Sequence, residues 1–172
     1  NYNFRAIALN SLVKYLPEIV FELLEISLLI PEEEECADLL RQLASQLPES
    51  LLPQALEVSR TLQISYYRAV ALNGLAAKFP DVISESLEVI GVIPDETRRV
   101  VALNGLIPYL PKEMQYSALA IAQTIQDDVQ RTRILEKLLQ DLPDAPPVAT
   151  LESIREARIS EYFRIRSLKE LV

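Results

Sequence analysis

Leucines recur along this chain in pairs spaced by three: Leu9 and Leu12, Leu40 and Leu43, Leu72 and Leu75, Leu103 and Leu106, Leu135 and Leu138, Leu168 and Leu171. The first leucine of each pair follows Arg5, Cys36, Arg68, Arg99, Arg131 or Arg164 by four positions. The first five pairs lead into Leu-Pro or Phe-Pro steps at Leu16-Pro17, Leu47-Pro48, Phe79-Pro80, Leu110-Pro111 and Leu142-Pro143, with prolines 31, 32, 31 and 32 apart. Seven or eight residues past each proline stands a further leucine, Leu24, Leu56, Leu87, Leu119 and Leu151. Apolar spacings of three, four and seven place side chains on one face of a helix, and the strict alternation of a strand is absent.

Each period therefore predicts two helices. The first, helix A, starts at an acidic or polar cap such as Glu32-Glu33 or Asp95-Glu96, where carboxylates meet unpaired amide donors and the positive end of the helix dipole. It is expected to stop at the Leu-Pro step, since proline disfavours helical geometry in the residue before it. The proline is then expected to open helix B, which closes at Ile30-Pro31, Ile93-Pro94 or a similar step. Six A helices are predicted, near 2–16, 33–47, 65–79, 96–110, 128–142 and 160–172, with five B helices between them and about 11 in all. Pro108, inside the fourth A helix, is expected to kink it.

A two-helix unit this short cannot bury both of its apolar sides alone, so neighbouring units must stack. The expected fold is all-α: an α-solenoid of stacked antiparallel hairpins, five repeats and a half, forming one domain over 1–172. Only three glycines occur, which argues against long linkers, and Asp144 to Thr150 reads as a longer turn. The passage Ala118-Leu119-Ala120-Ile121-Ala122, followed by Asp127-Asp128, resembles tetratricopeptide-like repeats. With a shorter unit, no tryptophan and a proline between its helices, the chain is closer to the degenerate tetratricopeptide-like or HEAT-like repeats of bacterial multidomain proteins. That resemblance implies a concave groove for protein ligands and no shared catalytic or ligand residue.

Composition narrows the function. With 25 acidic and 17 basic side chains the net charge is -8, which disfavours nucleic acid, including single-stranded RNA, and anionic membranes as partners. There is no histidine and no Gly-rich phosphate loop, so neither an enzyme nor a metal or cofactor site is expected. Cys36 is the sole cysteine and fits a cytoplasmic setting; it takes the arginine slot of the other repeats and reads as a buried, inert thiol. The run Glu32 to Glu35 reads as a solvated helix start, not a cation loop.

Three sets of residues invite a role. Glu57 and Arg68, Glu88 and Arg99, and Glu152 and Arg164 straddle the turn from helix B to helix A, where ion pairs or carbonyl caps are expected, with Glu25 left unpaired opposite Cys36. Asn10, Asn73 and Asn104 recur within Ala-Leu-Asn-Ser-Leu or Ala-Leu-Asn-Gly-Leu, a poor helix-forming context. They either bond between adjacent A helices or form an amide ladder that grips an extended peptide, as in armadillo-type solenoids. Aromatic residues at A-helix starts, Phe4, Tyr66-Tyr67 and Tyr162-Phe163, either fill the gaps between units or make a contact patch.

The leading expectation is a non-enzymatic protein-interaction scaffold or sensor segment that holds a peptide or partner domain on its concave face. The alternative is a structural spacer or oligomerisation module. Neither terminal helix has the polar outer face of a capping repeat, so a piece of a longer array, self-associating through its ends, is expected.

Overall fold

The computed structural model describes residues 19–140. Among them every regular element is helical: α1 (Val20–Ser27), α2 (Glu33–Leu43), α3 (Leu52–Thr61), α4 (Ser65–Leu75), α5 (Val82–Gly91), α6 (Glu96–Leu106), α7 (Gln115–Gln123) and α8 (Asp128–Gln140). Short 3-10 turns occupy Glu49–Leu51, Ile107–Tyr109 and Lys112–Met114. The expected helices near 2–16 and 160–172, the steps at Pro17 and Pro143, and the turn at 144–150 lie outside the described residues.

The four described A helices begin where the sequence period places them, at Glu33, Ser65, Glu96 and Asp128. In each, the arginine-slot residue closes the first ladder bond: Cys36, Arg68, Arg99 and Arg131 donate their backbone amides to Glu32, Ile64, Asp95 and Asp127 at 3.1, 3.1, 2.9 and 2.9 Å. Asp95 also accepts the Arg98 amide at 2.7 Å, and Asp127 those of Val129 and Gln130, both at 2.9 Å. These bonds occupy donors that an α-helix leaves free at its start.

Helix ends depart from expectation. α2 and α4 stop four residues short of positions 47 and 79. There the ladder tightens: Gln46 donates to Leu43 at 2.8 Å and Lys78 to Leu75 at 3.0 Å, so the chain is already turning before the residue that precedes proline. Pro108 does not kink α6; the helix has ended at Leu106, and the proline sits in the 3-10 turn that follows. It has no amide to give the Asn104 carbonyl, so the ladder stops there. Nor do the step prolines open the B helices. Pro48 has extended backbone, φ -67° and ψ 151°, and stands before a 3-10 turn, while α3 starts at Leu52 with Pro53 in its first turn. α5 starts two residues after Pro80.

The helices fall into two compact units that divide between Pro111 and Lys112. In the first, α4 packs against α2, α3, α5 and α6, α1 packs against α2 and α3, and α5 against α6. In the second, α7 packs against α8. The leucine frame forms the interior of both: Leu40, Leu43, Leu72, Leu75, Leu103 and Leu106 are fully buried, and Leu135 and Leu138 nearly so. Each such side chain contributes about 1.5–3 kcal/mol relative to exposure. A second buried series, Ile30, Leu62, Ile93 and Ile125, marks the passage from each B helix to the next A helix. No helix among the described residues is long and apolar enough to cross a membrane.

Candidate functional site

Of the three A helices α2, α4 and α6, α4 packs against both of the others, and hydrogen bonds between the helices fix that arrangement. At the N-terminal end, the Glu33 carboxylate of α2 accepts the backbone amides of Gln63 and Ile64, at 2.9 and 2.8 Å, just ahead of α4. α4 needs this help, because its N-cap is Ile64 and its first turn has no acid. At the opposite end, the Lys78 ammonium donates to the Leu47 carbonyl at 2.8 Å. Between these ties the backbones come close. A Cβ on Gly74 would lie 2.8 Å from the Arg41 Cα, so only glycine allows α4 to rest on α2 there.

The α4–α6 contact is built differently. Asn73 is buried, donates from Nδ2 to the Ala102 carbonyl at 2.7 Å, and accepts through Oδ1 from the Ser86 hydroxyl at 2.6 Å. A Cβ on Gly105 would stand 3.2 Å from that same Nδ2. At the helix starts, the Arg98 guanidinium lies over the Tyr66 and Tyr67 rings, 5.3 and 5.7 Å from their centroids.

A groove of about 560 Å³ crosses the three helices. Small residues, Gly74, Ala77 and Gly105 among them, leave the space, and Tyr66 and Tyr109 are the aromatic residues of its lining. Its charged residues are Asp38, Arg41 and Lys78. Arg41 donates from Nε and Nη2 to Asp38 Oδ1, at 3.2 and 3.0 Å, across one turn of α2. Exposed apolar surface is supplied by Val101 and Tyr109.

Of the residues singled out in the sequence, Asn73 and Tyr66 line this groove. Asn73 spends both ends of its amide inside the fold, bonding between adjacent A helices. Asn104 donates to the Val100 carbonyl of its own helix at 3.0 Å, and Asn10 lies outside the described residues. Tyr67 donates to Glu34 at 3.3 Å. Desolvation, followed by the Glu34 charge, pushes the Tyr67 phenol above its ordinary value.

Among the described residues the expected cross-turn ion pairs are not formed. Glu57 is exposed and accepts from Arg60, one turn further along α3, at 2.7 Å. Arg68 instead takes the carbonyl-cap alternative: its Nε donates to Leu62 at 2.9 Å, and Arg131 in the same slot donates to Ile125 at 2.6 Å. The carbonyls at the end of the preceding B helix are within the arginine's reach and buried beside it, whereas the glutamate points to water. Glu88 and Arg99 form no ion pair, and the buried Arg99 Nε has no hydrogen-bond partner. Glu152 and Arg164 lie outside the described residues. Among the described residues an ion pair joins α3 and α5: Arg60 reaches Glu85 of α5 at 3.0 and 2.7 Å and holds its carboxyl below the usual carboxylate range.

Cys36 is buried, and desolvation, then the Glu33 charge, pushes its thiol up to about 11, so it stays protonated near neutral pH. Among the described residues no group of three or more His, Cys, Asp or Glu is placed to hold a metal. Sequence reasoning missed Asp38, Arg41, Lys78 and Tyr109. A signal was present: Asp38 and Arg41-Gln42, two and five to six residues after the arginine slot, give way to Val70 and Asn73-Gly74 and again to Val101 and Asn104-Gly105, and at nine to ten Ser45-Gln46, Ala77-Lys78 and Pro108-Tyr109 all differ, while the leucine frame stays constant. Comparison of the chain with protein-family models, with curated proteins and with solved structures gives no match.

Proposed function

We propose that the chain forms an α-solenoid of 31–32-residue two-helix repeats and works as a non-enzymatic protein-interaction scaffold or sensor segment, holding a peptide or a partner domain in the groove across α2, α4 and α6. The observation that carries the reading is this groove, which three consecutive A helices line: the positions nine and ten residues after the arginine slot differ in all three, and Asp38 and Arg41 set the first apart from the other two. A constant frame with a variable stripe suits recognition, because the stripe can change without disturbing the core. Support for the stacked arrangement comes from hydrogen bonds about one repeat apart: Glu33 to Ile64 at a separation of 31 residues, Lys78 to Leu47 at 31 and Asn73 to Ala102 at 29. A cytoplasmic setting goes with the proposal, Cys36 being the sole cysteine and buried, and no cofactor is required.

The test is selection from a displayed library of short random peptides, run in parallel on the wild-type chain and on Ala77→Trp. Ala77 is exposed and lines the groove, so the indole fills it without entering the core. Enrichment of peptides by the wild type and its loss in A77W is the expected result. No enrichment, or equal enrichment by both, overturns the proposal.

A further inference from the structure

The groove's charge points to what it holds. The chain carries 17 basic and 25 acidic side chains, yet the charged residues lining the groove are two cations, Arg41 and Lys78, and one acid, Asp38. A third cation, Arg98, stands at the edge over Tyr66. Asp38 is already engaged by Arg41 through two donors, Nε and Nη2. Lys78 gives one bond to the Leu47 carbonyl, and an ammonium has three donors. The groove thus has surplus cationic donors and an acid that is already neutralised, beside the exposed apolar surface of Val101 and Tyr109.

Building on the peptide-binding reading, we infer that the occupant is an extended peptide segment carrying an isolated Asp or Glu side chain among uncharged residues, its carboxylate meeting Lys78 and Arg41. A basic segment would meet the cation Lys78, which has no carboxylate partner among the described residues, and an acid, Asp38, that Arg41 already holds. A run of acids, or a nucleic acid backbone, would be repelled by the net charge of -8 over the rest of the molecule. One carboxylate gains the short-range, charge-assisted bond and suffers little from the long-range field, which salt screens.

The experiment uses peptide libraries that differ only at one fixed central residue, Glu, Gln or Lys. Affinities of selected peptides, and of their Glu-to-Gln and Glu-to-Lys counterparts, are measured for the wild type, Lys78→Gln, Arg41→Gln and Ala77→Trp. Wild type is expected to prefer Glu over Gln by about tenfold or more, the worth of one charge-assisted bond. K78Q or R41Q should remove most of that preference while leaving the Gln peptides' affinity in place. Arg41 is exposed, so R41Q keeps the test open if K78Q, which also loses the Leu47 bond, does not fold. Equal binding of Glu and Gln peptides, with both lost in A77W, overturns the acidic preference and leaves the peptide groove standing. Failure of every library to bind overturns both. Displacement of the Glu peptides by a single-stranded RNA oligomer would assign the cations to phosphate and overturn the inference.

Discussion

Arg41 and Asn73 stand at the same place in the 31–32-residue sequence period, five residues after Cys36 and Arg68, and the next A helix approaches them in opposite ways. The Arg41 side chain leans out to Asp38, so Gly74 settles directly on its Cα. The Asn73 side chain turns inward, fills the gap with its amide and leaves Gly105 facing a side-chain nitrogen instead of backbone. One repeat position thus supports two kinds of helix contact, one set by the absence of a Cβ and the other by a buried hydrogen-bonded amide. The difference also shapes the groove, because the outward arginine leaves a cation on the surface where the inward asparagine leaves none.

Three substitutions and one double-mutant cycle break or sharpen that contrast. Asn73→Ala has the largest expected effect, a loss of about 2–3 kcal/mol in urea or thermal unfolding, since the buried Ser86 hydroxyl loses its acceptor and the α4–α6 bond disappears. A cost under ~0.5 kcal/mol would mean that the amide is not what joins those helices. Gly74→Ala follows: overpacking against backbone of about 1–3 kcal/mol outweighs the roughly 1 kcal/mol that alanine gains in helix propensity, so the chain is expected to melt earlier.

The pair Arg60–Glu85 ties neighbouring B helices at the surface, and a double-mutant cycle at neutral pH should return about 0.2–1 kcal/mol. Arg60 lowers the folded-state value of Glu85, so this coupling is fully present above the unfolded carboxylate value of about 4.3 and is lost as pH falls through the folded value. Coupling that survives strong acid would contradict the assignment. Gly105→Ala comes last, with a net change under about 0.5 kcal/mol, because the Asn73 amide can yield a few tenths of an ångström while propensity improves. Equal damage from G74A and G105A would erase the distinction between the two contacts.

Much of the fold was legible because its signals are local. A-helix starts followed from the period of the leucines and, at α2, α6 and α8, from acidic residues placed before them, whereas α4 begins in register after Ile64 without an acid of its own. The helix ends were read less well, since the proline rule limits only the residue before it, while the actual stop came when the last turn tightened. The candidate site was half legible. Asn73 and Tyr66 were visible as recurrent or unusual residues, but Arg41, Lys78 and Tyr109 recur in no series and gain meaning only where three helices meet.

The order of amino acids by itself determined that this protein is helical, where its A helices begin, and which leucines are buried, because helix periodicity and capping act within a few residues of chain. Only the tertiary structure decided which groups bond across repeats: that Glu33 caps a helix some 30 residues ahead, that Arg68 takes a carbonyl in preference to Glu57, and that Asn73 turns inward where Arg41 turns out. A side chain among these packed helices has several partners within reach, and the choice among them depends on burial and on angles that only the packing sets.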